Sequence, residues 1–548
     1  MEMLDFENEP DYAEASSSLV ARSVKDPIHD LIPLSLRLSR FIDTKQFQRL
    51  RSIKQLGTSY YVWIGASHNR FEHCIGVAFL ARSMASHLQK RQPELGITDR
   101  DIECIEIAGL CHDLGHGPWS HVWDGLFIPQ ALPGQKWKHE DGSSMMFDAL
   151  VKENGIPLTT QDENFIKALI AGDPSQCSPD EKKFLFDIVA NRRNGLDVDK
   201  FDYILRDSHM VGDKMSIALP RIIKSARVLD NQICYDIKDA NQIYEICAMR
   251  FKLHKIVYNH KAAKAIEYMI IDGLLAAEPH LHIADRVFDP EKYLHLTDDI
   301  MPQIEASTEP ELADARAIFA RIRHRDLYRM VDYKVVDWPY RAHFEECITP
   351  ARIVEAARAL PISDGSSVAD VSKLRPEDII CDFSIMHYGM GSCNPLDFVK
   401  FYSKRNPNVS STAGRGDYSN LMPEFHAELL VRIFTKKAEF FGIVQAGYRA
   451  CLAAMPALIS SKPLPLSEEE SGPPASTPPA PDVPSTPRTR RTFSRVSSFS
   501  NNAFTTVSAN FVPRSPTRGS RKPKREREAE PGESSGVGSG GGKKPRGG

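Results

Sequence analysis

Along most of the 548-residue chain, apolar positions recur every three or four residues, the period of an amphipathic helix. Leu36 to Leu56, His68 to Arg91 and Asp99 to Leu114 carry this spacing, and Phe71, Ile75, Ala78 and Phe79 share one predicted face. The same period predicts helix over 139–152, 180–210, 240–277, 308–325 and 423–458. A second pattern is shorter and β-like. VKDPIHDLIPL, just after Arg22, mixes apolar residues with turn formers and predicts a strand or hairpin. YYVWIGAS, RVLDNQICYDIKD and the stretch from Asp378 to Tyr402 complete the β-like set. Residues 1–20 are acidic and aperiodic, and after Ser460 Pro, Ser and Gly take over, so disordered termini are expected. The predicted fold class is mainly α: a helical core over 21–330, a smaller α+β C-terminal lobe over 331–460, and a tail over 461–548.

One helix end concentrates chemistry. An apolar run, Ile105 to Cys111, leads into AGLCHDLGHGPWSH, residues 108–121. Adjacent His112 and Asp113 offer an imidazole nitrogen and a carboxylate oxygen to one divalent ion. His112 and His116 stand at i, i+4 spacing, and Gly115, Gly117 and Pro118 predict that the helix opens there into a loop. Further ligands must come from elsewhere: His73 in SHNRFEH and Asp199 in NGLDVDKFDYILRD are the candidates. Two imidazoles and two carboxylates suit Fe, Mn, Mg or Zn and leave positions for water or phosphate.

Composition narrows the classes. Hydrophobic residues make up 42% and charged residues 26%, an ordinary globular balance. No apolar run approaches the length of a membrane span, so no membrane partner is expected. The polar, acidic N-terminus does not read as a secretory signal. Ten scattered cysteines without a CxxC pair fit reduced thiols in the cytosol or nucleus. The net charge of −3 hides an asymmetry: Thr486 to Gly548 carries 14 Lys+Arg against 4 Asp+Glu, leaving the remainder acidic. RKPKRER (Arg521 to Arg527) and KKPR resemble nuclear-import signals, while a weak nucleic-acid-binding arm stays open as an alternative. Thr486-Pro487 and Ser515-Pro516 resemble proline-directed phosphorylation sites.

The order H…HD…D resembles the HD-domain metal phosphohydrolases. Longer matches extend the resemblance: GASHNRFEH, AGLCHDLGHGPWSH, WKHE, NGLDVDKFDY and YNHK are similar to the dNTP triphosphohydrolases with sterile-alpha-motif and HD domains. The likeness runs from about residue 22 to about residue 455. It leaves no room for a sterile-alpha-motif domain ahead of the HD region, and 155–180 is shorter than the family's stretch.

The resemblance implies hydrolysis of a dNTP to deoxynucleoside and tripolyphosphate. His73, His112, Asp113 and Asp199 would hold the metal. Arg70, Lys200 and Arg250 would grip phosphate, where guanidinium geometry suits paired oxygens. Gln55, Leu56, Tyr203, Asp207, His254 and Tyr258 would line the sugar and base pocket, with Tyr258 excluding a 2′-hydroxyl. Proton transfer falls to His116, His121, Asp124 and His139; spacing leaves the acid open, and His121 is the expected donor.

Regulation follows from the same resemblance. GTP or dGTP would bind at Arg22, Asp43, Gln48 and Arg51, and a dNTP at Arg227, Lys238, His260, Lys261, Arg325 and Arg329, driving a homo-oligomer, a tetramer. Arg22 stands where the family has lysine, Lys25 and Gln242 where it has asparagine, and Asp236 where it has arginine, so the second site departs most. The competing readings are another HD-type nucleotidase or phosphodiesterase and a single-stranded nucleic-acid-binding protein. The expected location is the nucleus, with the cytoplasm also open.

Overall fold

A computed structural model describes residues 20–360 and 368–461. The expectations for the two termini, including the import signals and phosphorylation sites, lie outside these residues.

The chain starts with a hairpin, β1 (Val20–Asp26) and β2 (Asp30–Ser35), paired antiparallel. Asp26 closes its turn by accepting from the N–H groups of Ile28 and His29. Ser35 then caps α1 (Leu36–Ile42) by accepting from Leu38 N–H. Two long helices follow, and each begins on a capping box, which ties up orphan N–H groups at the start. Asn69 and Glu72 start α2 (Arg70–Arg91), and Thr98 and Asp101 start α3 (Asp99–Cys111). The core helices continue with α4 (His139–Glu153), α5 (Thr160–Ala171), α6 (Val198–Met210), α7 (Ala240–Leu253), α8 (Lys261–Leu281) and α9 (Ala313–Arg323).

Helix α2 is buried on nearly every side, from Cys74 and Val77 to Ala81 and Leu88. The single apolar face predicted for it is therefore too narrow, because α3, α6 and neighbouring segments all pack on it. Gly76 permits the closest approach. A Cβ there would lie 2.0 Å from Asp202 Oδ1, so only glycine lets α2 and α6 meet at that distance.

A mixed sheet has the order β3 (Arg227–Leu229), β4 (Gln232–Asp236), β7 (Lys400–Tyr402), β8 (Ser411–Thr412), with β4 and β7 parallel. The lobe sheet is antiparallel, with the order β5 (Arg329–Asp337), β9 (Ala427–Thr435), β6 (Ile379–His387). Helices α10 (Pro350–Ala359) and α11 (Phe441–Ser461) accompany it, and Ile353, Val354, Val444 and Tyr448 join Leu429, Val431 and Ile433 in one apolar cluster. The mainly helical core with a smaller α+β lobe agrees with the predicted class.

Five local expectations are corrected. YYVWIGAS is not a strand: a 3-10 helix over Gly57–Tyr61 and turns occupy it, because Ser59, Val62 and Ala66 N–H groups bond to carbonyls three residues back. Residues 423–458 are not one helix; β9 fills the first part. AELLVRIFT is the centre strand, apolar on both faces, and so lacks the alternation that marks a half-buried strand. The predicted helix over 240–277 breaks after a π-turn at His254–Tyr258, with His260 extended as the cap of α8. The one over 180–210 is interrupted between Val189 and Val198, and the one over 36–56 falls into short pieces.

The centre-strand assignment is testable. Ile433 is fully buried, so Ile433→Ala is expected to destabilise the lobe by about 2–5 kcal/mol. Urea unfolding followed by circular dichroism measures it; a change under about 0.5 kcal/mol would contradict a buried centre strand.

Candidate active site

Three helix segments bring four predicted ligands together. His73 lies one turn into α2, His112 caps the end of α3 with Asp113 next to it, and Asp199 lies in the first turn of α6. His73 Nε2 is 3.1 Å from Asp199 Oδ1 and 3.6 Å from Asp113 Oδ2. His112 Nε2 is 3.3 Å from Asp113 Oδ1 and 3.5 Å from Asp199 Oδ1. The donor atoms of His73, His112 and Asp199 all fall within 4.8 Å of one another. His112 Nδ1 donates to Gly109 O at 2.8 Å, which leaves Nε2 buried with no hydrogen-bond partner among the described residues.

A second layer fixes the first. Asp202, one turn beyond Asp199, accepts from His73 Nδ1 at 2.7 Å. Its carboxylate also meets His29 Nε2 at 2.7 Å and Arg206 at 2.8 and 2.9 Å, and Arg206 continues to Asp26 at 2.8 Å. Burial opposes ionisation of Asp199, but the imidazoles of His112 and His73 outweigh it and hold the carboxyl well below its usual range. Asp113 is held low in the same way, against burial, chiefly by Arg70, whose guanidinium pairs with its Oδ2.

The loop beyond α3 builds a separate group. Gly115 passes so close to α4 that a Cβ would sit 2.0 Å from His139 O, which locks the loop to the start of that helix. His139 Nδ1 bonds to Asp124 Oδ2 at 2.6 Å, and its ring stacks on His116 with centroids 4.0 Å apart. His121 stands 3.7 Å from Asp124 Oδ1 and is largely exposed. Burial lowers His116 far below the usual histidine value, with Arg70 and His139 adding to the effect. His139 moves the other way: the bond to Asp124 overcomes burial and raises it. Asp124 is depressed despite burial, by His121 and His139.

Both groups open into one cleft of about 780 Å³. Gln55, Leu56, Arg70, Lys200, Tyr203, Asp207, Arg250, His254 and Tyr258 line it as well. Tyr258 donates to Asp207 Oδ2 at 2.6 Å, and His68 Nε2 meets Asp207 Oδ1 at 2.7 Å, so the tyrosine is fixed from behind. Gln55 Oε1 and Arg250 Nε are buried without partners among the described residues, an acceptor and a donor left over. Arg250 also donates to the His387 carbonyl at 2.7 Å. Burial and the neighbouring Arg250 push His254 down to about 2. Sequence reasoning missed Asn191, Arg192, Lys264 and Glu267 in the lining, and His29, His68, Asp202 and Arg206 behind it. Asp202 was findable, since it follows Asp199 at i+3 on the same helix; His29 and His68 carried no local signal.

The residues expected to bind activators lie outside the cleft lining. Arg22 pairs with Asp43 at 2.6 Å, and Arg51 bonds to Gln48 at 2.8 Å while lying over Phe71 at 3.5 Å. Arg227 donates to Pro407 O, and Lys238 sits just past β4. His260 packs edge-on against Trp63, Lys261 opens α8, Arg325 donates to Tyr61 O, and Arg329 opens β5. Arg227 and Lys238 therefore attach to one sheet, and His260 and Arg325 to the segment around Tyr61 and Trp63.

The HD-domain family model matches residues 70–169, which span α2, α3, α4 and the loop carrying the histidines. The chain is 42% identical over 451 residues to the deoxynucleoside triphosphate triphosphohydrolase SAMHD1 of Bos taurus, covering 76% of this chain and 75% of the relative. The chain belongs to the SAMHD1 family. The SAMHD1 of Homo sapiens is 42% identical over 448 residues, covering 76% of this chain and 70% of the relative. The SAMHD1 homolog of Dictyostelium discoideum is 36% identical over 453 residues, covering 82% and 83%. The protein is a hydrolase, and the SAMHD1-family match covers 76% of the chain, well beyond the residues 70–169 matched by the HD-domain model.

The Asp124–His139 pair has a pH signature. Asp124, depressed from 3.8, stabilises the fold above that value and loses the contribution as pH falls. His139, raised from 6.5, stabilises it below that value and loses the contribution as pH rises. The difference in thermal midpoint between wild type and Asp124→Asn is thus expected to peak between about pH 4 and 6.5. Melting curves across pH 4–9 check it; a pH-independent difference would refute the pair.

Proposed function

We propose that this hydrolase converts a dNTP to deoxynucleoside and tripolyphosphate with a divalent metal, and that a guanine nucleotide and a dNTP activate it as a homotetramer. The observation that carries the reading is the orphaned His112 Nε2, buried beside His73 Nε2 and two carboxylates in a cleft whose other lining groups suit a nucleotide. Nitrogen and oxygen donors in that number fit Fe, Mn, Mg or Zn, with His73, His112, Asp113 and Asp199 as the holders. A divalent cation bound there would supply Lewis-acid polarisation of the phosphate and a more acidic water.

The residues of the chain account for the remainder. Arg70, Lys200 and Arg250 offer cations to the phosphate oxygens, and Arg250 Nε has no partner among the described residues. Water adds to the α-phosphorus, the bond from phosphorus to the 5′-oxygen breaks, and His121 delivers the proton to that oxygen. Asp124 stands beside His121 and ties His139, so the donor works next to a held carboxylate. Tyr258, held by Asp207, which His68 holds in turn, would stack on the sugar so that a 2′-hydroxyl clashes, and Gln55 Oε1 offers an acceptor to the 3′-hydroxyl. The relatives are named as dNTP triphosphohydrolases, which supports the same substrate class. Asp43, Gln48 and Arg51 suit a guanine edge and phosphate, and the basic residues around His260 and Arg227 suit a second nucleotide shared between subunits. The basic tail fits nuclear import.

The test is direct. Purified protein with Mn or Mg and dATP, with and without GTP, is expected to release deoxyadenosine and tripolyphosphate, faster with GTP. His112→Ala and Asp199→Ala are expected to lose turnover. Release of a monophosphate or of inorganic phosphate would instead support another HD-type nucleotidase.

A further inference from the structure

Two consecutive residues of the histidine loop sit in the left-handed region: Trp119 at φ +54° and Ser120 at φ +59°. Another such pair, Asp230 and Asn231, forms the two-residue turn between β3 and β4, where those residue types are at home. Trp and Ser are not at home there, so the turn must be held from outside. Much hangs on it. His121 follows directly, and Ser120 Oγ accepts from Arg70 Nε at 2.9 Å while donating to Lys54 O at 2.7 Å. Gln55, beside Lys54, belongs to the same structure.

The holder is Asp298, from the segment after Tyr293. Its Oδ1 accepts from Trp119 N–H at 2.7 Å and its Oδ2 accepts from Lys54 N–H at 2.9 Å. Its own N–H donates to Ser52 O at 3.1 Å. One carboxylate thereby closes a ring through Lys54, Ser120 and Trp119, and a neutral amide has only one oxygen to accept with. Desolvation pushes the Asp298 carboxyl up to about 6, so the fold keeps it ionised at neutral pH against a loss of stability.

We propose that Asp298 is a positioning residue for hydrolysis, which holds the strained Trp119–Ser120 turn so that Arg70, His121 and Gln55 converge on the nucleotide. It is not among the residues that line the cleft. The proposal rests on the hydrolytic reading of the cleft, and two readouts separate the two. Hydrogen exchange at the Trp119 and Lys54 N–H groups measures the hold without turnover: Asp298→Asn, which keeps one accepting oxygen, is expected to speed at least one of the two tenfold in the full chain, and unchanged exchange at both would overturn the proposal. Kinetics on the Mn-loaded enzyme with dATP then measure the consequence: kcat falls at least tenfold while KM stays within about threefold. A folded variant with wild-type kcat would also overturn it. If Asp298→Asn does not fold, Asp298→Glu keeps the charge and shifts the oxygens, and the same loss of kcat is expected. A wild-type enzyme that forms no tripolyphosphate contradicts the hydrolytic reading, and the exchange result still decides the role of Asp298.

Discussion

The active-site geometry depends on one buried carboxylate, Asp202. It ties His73 of α2 to Arg206 of its own helix and, through His29, to the N-terminal hairpin. With Nδ1 of His73 engaged by a carboxylate, the ring is fixed in orientation and its Nε2 faces Asp199 and Asp113. Gly76 is what allows α6 to come near enough for this to happen. Removing one member would leave a buried charge uncompensated, typically about 3–5 kcal/mol. The network therefore specifies geometry: it fixes where the two helices cross and where His73 Nε2 points.

From that constraint the site divides into two halves with opposite electrostatics. On one side, carboxylates are held ionised by imidazoles and by Arg70, the state a cation requires. On the other, burial keeps His116 neutral while Asp124 favours a charged His139. The stacked rings of His116 and His139, 4.0 Å apart, are thus pulled in opposite directions because their neighbours differ. The sharp bend at Gly115 separates the halves, and Asp298 holds the strained stretch that follows.

Much of this was legible in the sequence, for physical reasons. His112 and Asp113 are adjacent at a helix end, so their chemistry is local, and the glycines after them announced the bend. His73 and Asp199 needed a longer pattern. The supporting set was harder. His29, His68 and Asp298 act across large sequence separations, and a lone histidine or aspartate in a loop carries no period or motif. The fold shows the same division. Helices with clear apolar spacing were readable, while β9 was not, since a strand covered on both faces has no alternation. The break near Asn259 also escaped, because a π-turn keeps helical spacing up to it, and the one after Val189 is a turn closed by the Gly195 N–H to Asn191 O bond and tied to the Asp197 cap.

In the proposed reaction, water attacks the α-phosphorus and the 5′-oxygen leaves with the nucleoside. Turnover of dATP in ¹⁸O-labelled water, with mass analysis of both products, tests it most directly. One labelled oxygen is expected in the tripolyphosphate and none in the deoxyadenosine. Label on the 5′-hydroxyl of deoxyadenosine, or a labelled nucleotide in place of the nucleoside, would contradict it.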